Sequence, residues 1–85
     1  MSRKGKLIKR LKSLPKDFTF DEMDTLLGLL SFDKSNKGKT SGSRVEYYNK
    51  DLDKTIMMHK PHPEKELPDY AVKRIKIDLE KEGLI

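Results

Sequence analysis

Apolar residues return at fixed intervals in this chain, and the interval changes partway along. Leu7, Ile8, Leu11 and Leu14 fall at i, i+1, i+4 and i+7. That is one face of a 3.6-residue period and predicts a short helix over residues 2 to 14. Lys4, Lys6, Lys9, Arg10 and Lys12 fill its other faces. Pro15 stops it, because the residue before a proline is pushed out of the α region. A second helix starts with a capping box: Thr19 as N-cap and Glu22 three residues on, with Phe18 and Met23 placed for the hydrophobic staple. Asp21 and Glu22 suit the positive end of its dipole. Phe20, Met23, Leu27 and Leu30 form its apolar stripe with Leu26 beside it, and the pattern fades near Ser31.

The period then shortens to two. Residues 33 to 43, rich in Lys, Ser and Gly, read as a loop or a frayed edge strand. In "RVEYY", Val45 and Tyr47 alternate with Arg44, Glu46 and Tyr48; in "TIMMH", Ile56 and Met58 alternate with Thr55, Met57 and His59. The polar "NKDLDK" between them makes a hairpin connection. If the apolar sets share a core, Val45 pairs with Met58 and Tyr47 with Ile56, and Arg44 then stands opposite His59 on the outer face. A one-residue slip would break this arrangement. Residues 68 to 82 return to helical spacing, with Val72, Ile75 and Leu79 as the stripe and Ala71 beside it. Pro68 suits the first turn. Gly83 suits the C′ position, with Leu84 packing back, and Ile77 lies off the stripe. Helix, helix, two or three strands, helix is an α+β order, with helices on one face of a small antiparallel sheet.

Composition narrows the class. A chain of 85 residues is one small domain. Its apolar content of 34% is lean against 39% charged, but the apolar residues are clustered periodically, which argues for a fold rather than disorder. It has no cysteine, so disulfides and thiolate metal sites are excluded. No segment approaches the roughly 20 apolar residues that span a bilayer, and no apolar stretch follows the basic start as a secretory signal requires. The default address is the cytoplasm, with no membrane partner. The net charge of +5 is unevenly spread. "MSRKGKLIKRLKSLPK" carries seven basic side chains and no acid, and "KSNKGKTSGSR" carries four more and no acid. Two acid-free basic segments suit a polyanion such as RNA, although lysine is common on any surface.

The candidate chemistry is concentrated in two places. "GKT" at 38 to 40 lacks the earlier glycine of a phosphate-binding loop, since Asp33 stands there. "GKTSGSR" can still cradle phosphate through backbone amides at Gly38 and Gly42, with Lys39, Ser43 and Arg44 adding side-chain contacts; it is equally an ordinary polar loop. The chain has two histidines, His59 and His62, spaced i and i+3 across Pro61. No cysteine helps them hold zinc, and nothing in the spacing demands a metal. As acid–base groups they fit better. Cutting RNA takes a proton from a 2′-hydroxyl and returns one to the departing 5′-oxygen, and imidazole can do either near neutral pH. Arg44 beside His59, or Lys60 beside His62, would stabilise the extra charge on the pentavalent phosphate. The plain alternative is a pair of exposed polar residues at a strand end. Tyr48 faces outward and can stack on a base; Tyr47, its neighbour, faces the core. Met57 faces outward and Met58 inward.

A capped helix, a Lys/Gly loop ending in "SGSR", "VEYY", a hairpin, "IMMHKPHP", the proline-started helix in "ELPDYAVKRIKIDLEKEGLI" and a terminal "EGLI" follow one another from Asp17 to Ile85. In that order they resemble the HicA family of toxins from toxin–antitoxin pairs. The resemblance implies a fold similar to a double-stranded-RNA-binding domain, with helices on one face of a three-stranded antiparallel sheet. It implies a ribosome-independent endoribonuclease that cuts mRNA and arrests growth, needs no cofactor, and is neutralised by a HicB-like antitoxin protein. Many members of that family place a catalytic histidine directly after the glycine-serine pair. Here Gly42-Ser43 is followed by Arg44, so the role does not carry over. It passes to His59 or His62, or the chain binds RNA without cutting it. Three functions follow: a small RNA-cleaving toxin, an RNA-binding module, or a protein-interaction domain whose basic face meets an acidic partner.

Overall fold

The switch from helical to strand spacing is realised in space. The computed structural model describes residues 3–35, 44–61 and 65–85. Along them run α1 (Arg3–Lys12), α2 (Phe20–Leu29), β1 (Asp33–Ser35), β2 (Arg44–Asn49), β3 (Lys54–His59) and α3 (Asp69–Lys81). The strands make one antiparallel sheet in the order β1-β2-β3. Tyr47, Ile56 and Met58 are buried on one side of it, in a single cluster with Leu11 of α1, Met23, Leu26 and Leu27 of α2, and Val72, Ile75 and Leu79 of α3. Thr55, Met57, Tyr48, Arg44 and His59 are exposed on the other. The result is an α+β fold with its helices on one face of a three-stranded antiparallel sheet. No helix among the described residues is long and apolar enough to cross a membrane.

The hairpin register follows from the two alternating patterns. Val45 pairs with Met58, Tyr47 with Ile56 and Arg44 with His59. The ladder runs further than the polar sequence suggests, reaching Asn49 opposite Lys54. Asn49 is buried, and it closes the turn itself. Its side-chain amide donates to the Leu30 carbonyl (3.1 Å), and its side-chain oxygen accepts from the Leu52 N–H (3.1 Å). Asp53 completes the turn in the left-handed region at φ 51°. The polar segment at 33 to 35 is an edge strand, pairing Asp33 with Tyr48 and Lys34 with Tyr47.

At the start of α2, Thr19 is extended and caps as its sequence implies. Its hydroxyl oxygen accepts the Glu22 N–H (3.1 Å), and Glu22 Oε1 accepts the Thr19 N–H (3.0 Å). Phe18 and Met23, the staple pair, are fully buried. Arg10 of α1 also converges on Glu22, donating from Nε at 2.7 Å and from Nη2 at 3.1 Å. The same Nη2 reaches the Asp17 carbonyl (2.9 Å), and the guanidinium lies 5.6 Å from the Phe18 ring centroid. Hydrogen bonding from Arg10 holds the Glu22 carboxyl below the usual carboxylate range, against the opposing effect of burial. Leu11, with Leu7 and Ile8 partly buried, seats α1 on the core.

Leu14 departs from the expected stripe. The helix ends at Lys12, and Leu14 takes φ 51° ahead of Pro15 and is 42% exposed. The pre-proline restriction acts before the apolar period is completed. At the other end of α2, Ser31 takes the left-handed conformation at φ 73° that glycine often supplies, and the Phe32 N–H returns to the Leu27 carbonyl (2.9 Å). A short antiparallel bridge then clips residues 65–67 to the start of α2. The Phe20 N–H donates to the Lys65 carbonyl (3.0 Å), and the Leu67 N–H donates to the Phe18 carbonyl (2.8 Å). Leu67 is buried by it. Pro68 sits at the N-cap of α3, one residue outside the helix. Gly83 at φ 72° and the Leu84 N–H bond to the Leu79 carbonyl (3.0 Å) close the C-terminal end, with Leu84 against the core. Ile77 is exposed, off the stripe.

Two contacts in this framework titrate. The Tyr47 hydroxyl donates to Asp24 Oδ1 at 2.6 Å; burial first, and then the carboxylate partner, push its ionisation far above the ordinary tyrosine range. A raised acid in the fold stabilises below the unfolded tyrosine value of about 10 and stops doing so as pH rises beyond it. Tyr47→Phe should therefore lower stability by about 1–2 kcal/mol at neutral pH, and the gap from wild type should narrow above about pH 10 in urea melts. For Glu22 the sign is reversed. Its lowered pKa stabilises above the ordinary carboxylate value and is lost as pH falls through it. Glu22→Gln keeps the cap geometry, and should cost about 1 kcal/mol at pH 7. Acid titration of both forms should show the difference shrinking as pH falls below about 4.3 and vanishing only once the folded Glu22 carboxyl is itself protonated.

Candidate nucleic-acid interface

The outer face of the sheet carries the candidate site. β2 and β3 bring Arg44 and His59 side by side as directly opposed residues, a position that sets Cβ atoms about 4.5–5.5 Å apart. Both are exposed. The strands place them there because Val45 and Met58, one residue inward on each, are drawn to the core. His59 hydrogen-bonds to no carboxylate among the described residues. Arg44 is engaged: its Nη2 lies 3.0 Å from Glu46 Oε2, two residues along on the same face. Glu46 stands opposite Met57, so the row beside the pair is acidic and apolar.

Tyr48 shares this face but sits at its hairpin end, opposite Thr55. Four residues of strand separate it from Arg44, about 13 Å. Its hydroxyl donates to Asp53 Oδ1 at 2.9 Å, and that bond raises its ionisation. The residue is 38% exposed. Lys60 follows His59 but turns the other way, with Nζ 5.9 Å from the centroid of the Phe20 ring. Lys34 approaches the same ring at 5.9 Å and pairs with Asp24 at 3.6 Å. Lys60 therefore belongs to a cationic cluster at the start of α2, not to the face that carries Arg44 and His59. Lys39, Ser43 and His62 lie outside the described residues.

Two residues that the sequence reading passed over stand near His59. Tyr70 and Arg74 of α3, with Met57, Met58 and Pro68, share a recess of about 120 Å³ with it. Tyr70 is 74% exposed. Their sequence signal was available: Tyr70, Arg74 and Ile77 fall at i, i+4 and i+7, a second stripe beside the buried one.

Fold and site together define a small α+β domain with an open, polar sheet face that carries one imidazole and one guanidinium. Set against protein-family models, curated proteins and solved structures, the chain matches none of them.

The Arg44–Glu46 pair gives a direct handle on this face. Glu46→Gln frees the guanidinium and should strengthen binding of single-stranded RNA about three- to tenfold, and Arg44→Ala should weaken it by a similar factor. Fluorescence anisotropy at several salt concentrations measures both, with a shallower salt slope expected for Arg44→Ala.

Proposed function

We propose that the chain is a small endoribonuclease toxin of a toxin–antitoxin pair, cutting mRNA until a HicB-like antitoxin protein neutralises it. The pairing of Arg44 with His59 on the open sheet face carries the reading, supported by the resemblance of the motif order to the HicA family. RNA laid along β2 would set a phosphate against Arg44 and a base against Tyr48. His59, as neutral imidazole, takes the proton of the 2′-hydroxyl. The 2′-oxygen attacks phosphorus, Arg44 stabilises the added negative charge, and the bond to the 5′-oxygen breaks. In-line attack puts entering and leaving oxygens on opposite sides of phosphorus, so the leaving oxygen takes its proton from a second donor, water or His62. The products are a 2′,3′-cyclic phosphate and a free 5′-hydroxyl. No step uses a cofactor.

Two observations favour a second reading, an RNA-binding module without chemistry. Arg44 is already held by Glu46, and His59 has no acidic partner among the described residues to orient its ring, as catalytic imidazoles commonly have.

Incubating a defined single-stranded RNA with the purified chain in EDTA separates the two. Scission by wild type, lost in His59→Ala with an unchanged circular dichroism spectrum, is the expected result. Loss in His62→Ala instead would transfer the role three residues along. Intact RNA in every lane, together with salt-dependent binding, would leave the binding module standing.

A further inference from the structure

We propose that the groove between the free edge of β3 and helix α3 receives an extended, acidic segment of a partner protein, which pairs with β3 as a fourth strand. The proposal does not need the ribonuclease reading: its ladder belongs to the edge of β3 and its cation, Arg74, to α3, while His59 only lines one end of the groove.

β3 is the last strand of the sheet and is six residues long. β2 occupies one side of it, and no backbone group of Lys54–His59 has a backbone partner on the other side among the described residues. Such an edge offers a ready row of donors and acceptors to another strand. α3 runs alongside it in the opposite direction. Lys54 Nζ reaches Asp78 Oδ1 at 4.0 Å at one end of the groove, and His59 shares a recess with Pro68 and Tyr70 at the other. A strand edge walled by a helix is the geometry of strand-addition grooves. There the ladder gives affinity, and pockets for alternate side chains give specificity.

Both requirements are present. Besides the recess of about 120 Å³ at the His59 end, a second of about 270 Å³ opens toward Asp78, between Thr55, Ile56 and Met57 of β3 and Arg74 and Ile75 of α3. Met57, Arg74 and Ile75 form the wall common to the two. Apolar surface is open along it: Met57 is 48% exposed and Tyr70 74%.

Charge selects the occupant. The carboxylates lining the larger recess are taken, Asp78 by Lys54 and Glu46 by Arg44. Arg74 has no carboxylate partner among the described residues and lines both recesses. The uncompensated charge of the groove is therefore positive and central. An acidic side chain on the incoming strand can meet it with the two-pronged geometry guanidinium favours. A nucleic-acid backbone fits less well, because it has no peptide groups to pair with the strand edge. A second copy of this chain also fits less well. Two-fold pairing of β3 centred on the strand would bring two unpaired Arg74 side chains together.

The test is selection of a displayed random decapeptide library on the intact chain, followed by anisotropy and amide-exchange measurements with the tightest synthetic peptide. The expected peptides alternate apolar residues with Asp or Glu. Binding should slow exchange at alternate amides of β3, weaken about tenfold in Arg74→Glu, and be lost when alternate peptide amides are N-methylated. Arg74→Gln, which removes charge without reversing it, should fall between. Basic or unpatterned selected peptides would overturn the proposal. So would equal affinity of the N-methylated peptide, or of Arg74→Glu with its spectrum intact. A single-stranded RNA that displaces the peptide and depends on Arg74 would reassign the groove to nucleic acid. A dimer in analytical ultracentrifugation that Arg74→Gln tightens would reassign it to self-association.

Discussion

Tyr47 stands in the middle strand, with Lys34 on one side and Ile56 on the other, and its hydroxyl donates to Asp24 at 2.6 Å. That single bond fixes how the sheet lies on α2. The ring is 1% exposed, so its polar end must find a partner inside the structure. Asp24 supplies it from the flank of the helix and also pairs with Lys34 of β1. Three elements are thereby locked to one carboxylate. In the register the hairpin adopts, Tyr47 sits inward with Ile56 opposite and Val45 with Met58. Once the register is set, Arg44 and His59 have no choice but to share the outer face. The geometry of the candidate site is in this sense a by-product of a core contact on the other side of the strand.

The distribution of charge over this framework departs from the simple picture of a basic protein gripping a polyanion. The most basic stretch of sequence is α1, and α1 packs on α2 and α3, on the helical side of the sheet. One of its cations, Arg10, is committed to Glu22 and Asp17, where it joins two helices. The outer face of the sheet carries Arg44 but also Glu46, Asp33 and Asp53. If RNA binds that face, its affinity cannot come from charge density. It must come from a few placed groups, in which case a single neutralising pair such as Arg44–Glu46 carries unusual weight.

Local rules made much of this legible in the sequence. The capping box at Thr19 and Glu22, the stripes of α2 and α3, the glycine closing α3, and the Arg44–His59 juxtaposition each depend on spacing within one element or across one short hairpin. What escaped depends on partners far along the chain. Arg10 reads as one more exposed cation until Glu22, twelve residues on, is folded beside it. Leu67 reads as a stray apolar residue until its backbone bridges to Phe18. Asn49 reads as loop because its amide is satisfied by Leu30. Leu14 misled in the opposite direction, since periodicity placed it on a helix that the following proline had already ended. The groove beside β3 escaped for a further reason. A second stripe on a helix means nothing until the fold shows that a strand edge has been left open next to it.

His59 is where the two surfaces meet. It is the outer-face neighbour of Arg44, and it lines the recess that Tyr70 and Arg74 share. A strand seated on the edge of β3 would run past its imidazole, and an RNA phosphate held at Arg44 would contact the same ring from the face. Two ligands that compete for one side chain are thermodynamically coupled, and the coupling is reciprocal. Whatever factor the peptide strand takes from RNA affinity, RNA must take from the affinity for the strand. An acidic strand adds a second antagonism, because its carboxylates would lie next to the position of the phosphate. Edge docking would then oppose occupation of the face without covering it, and the strength of that opposition would fall with salt as the charges are screened.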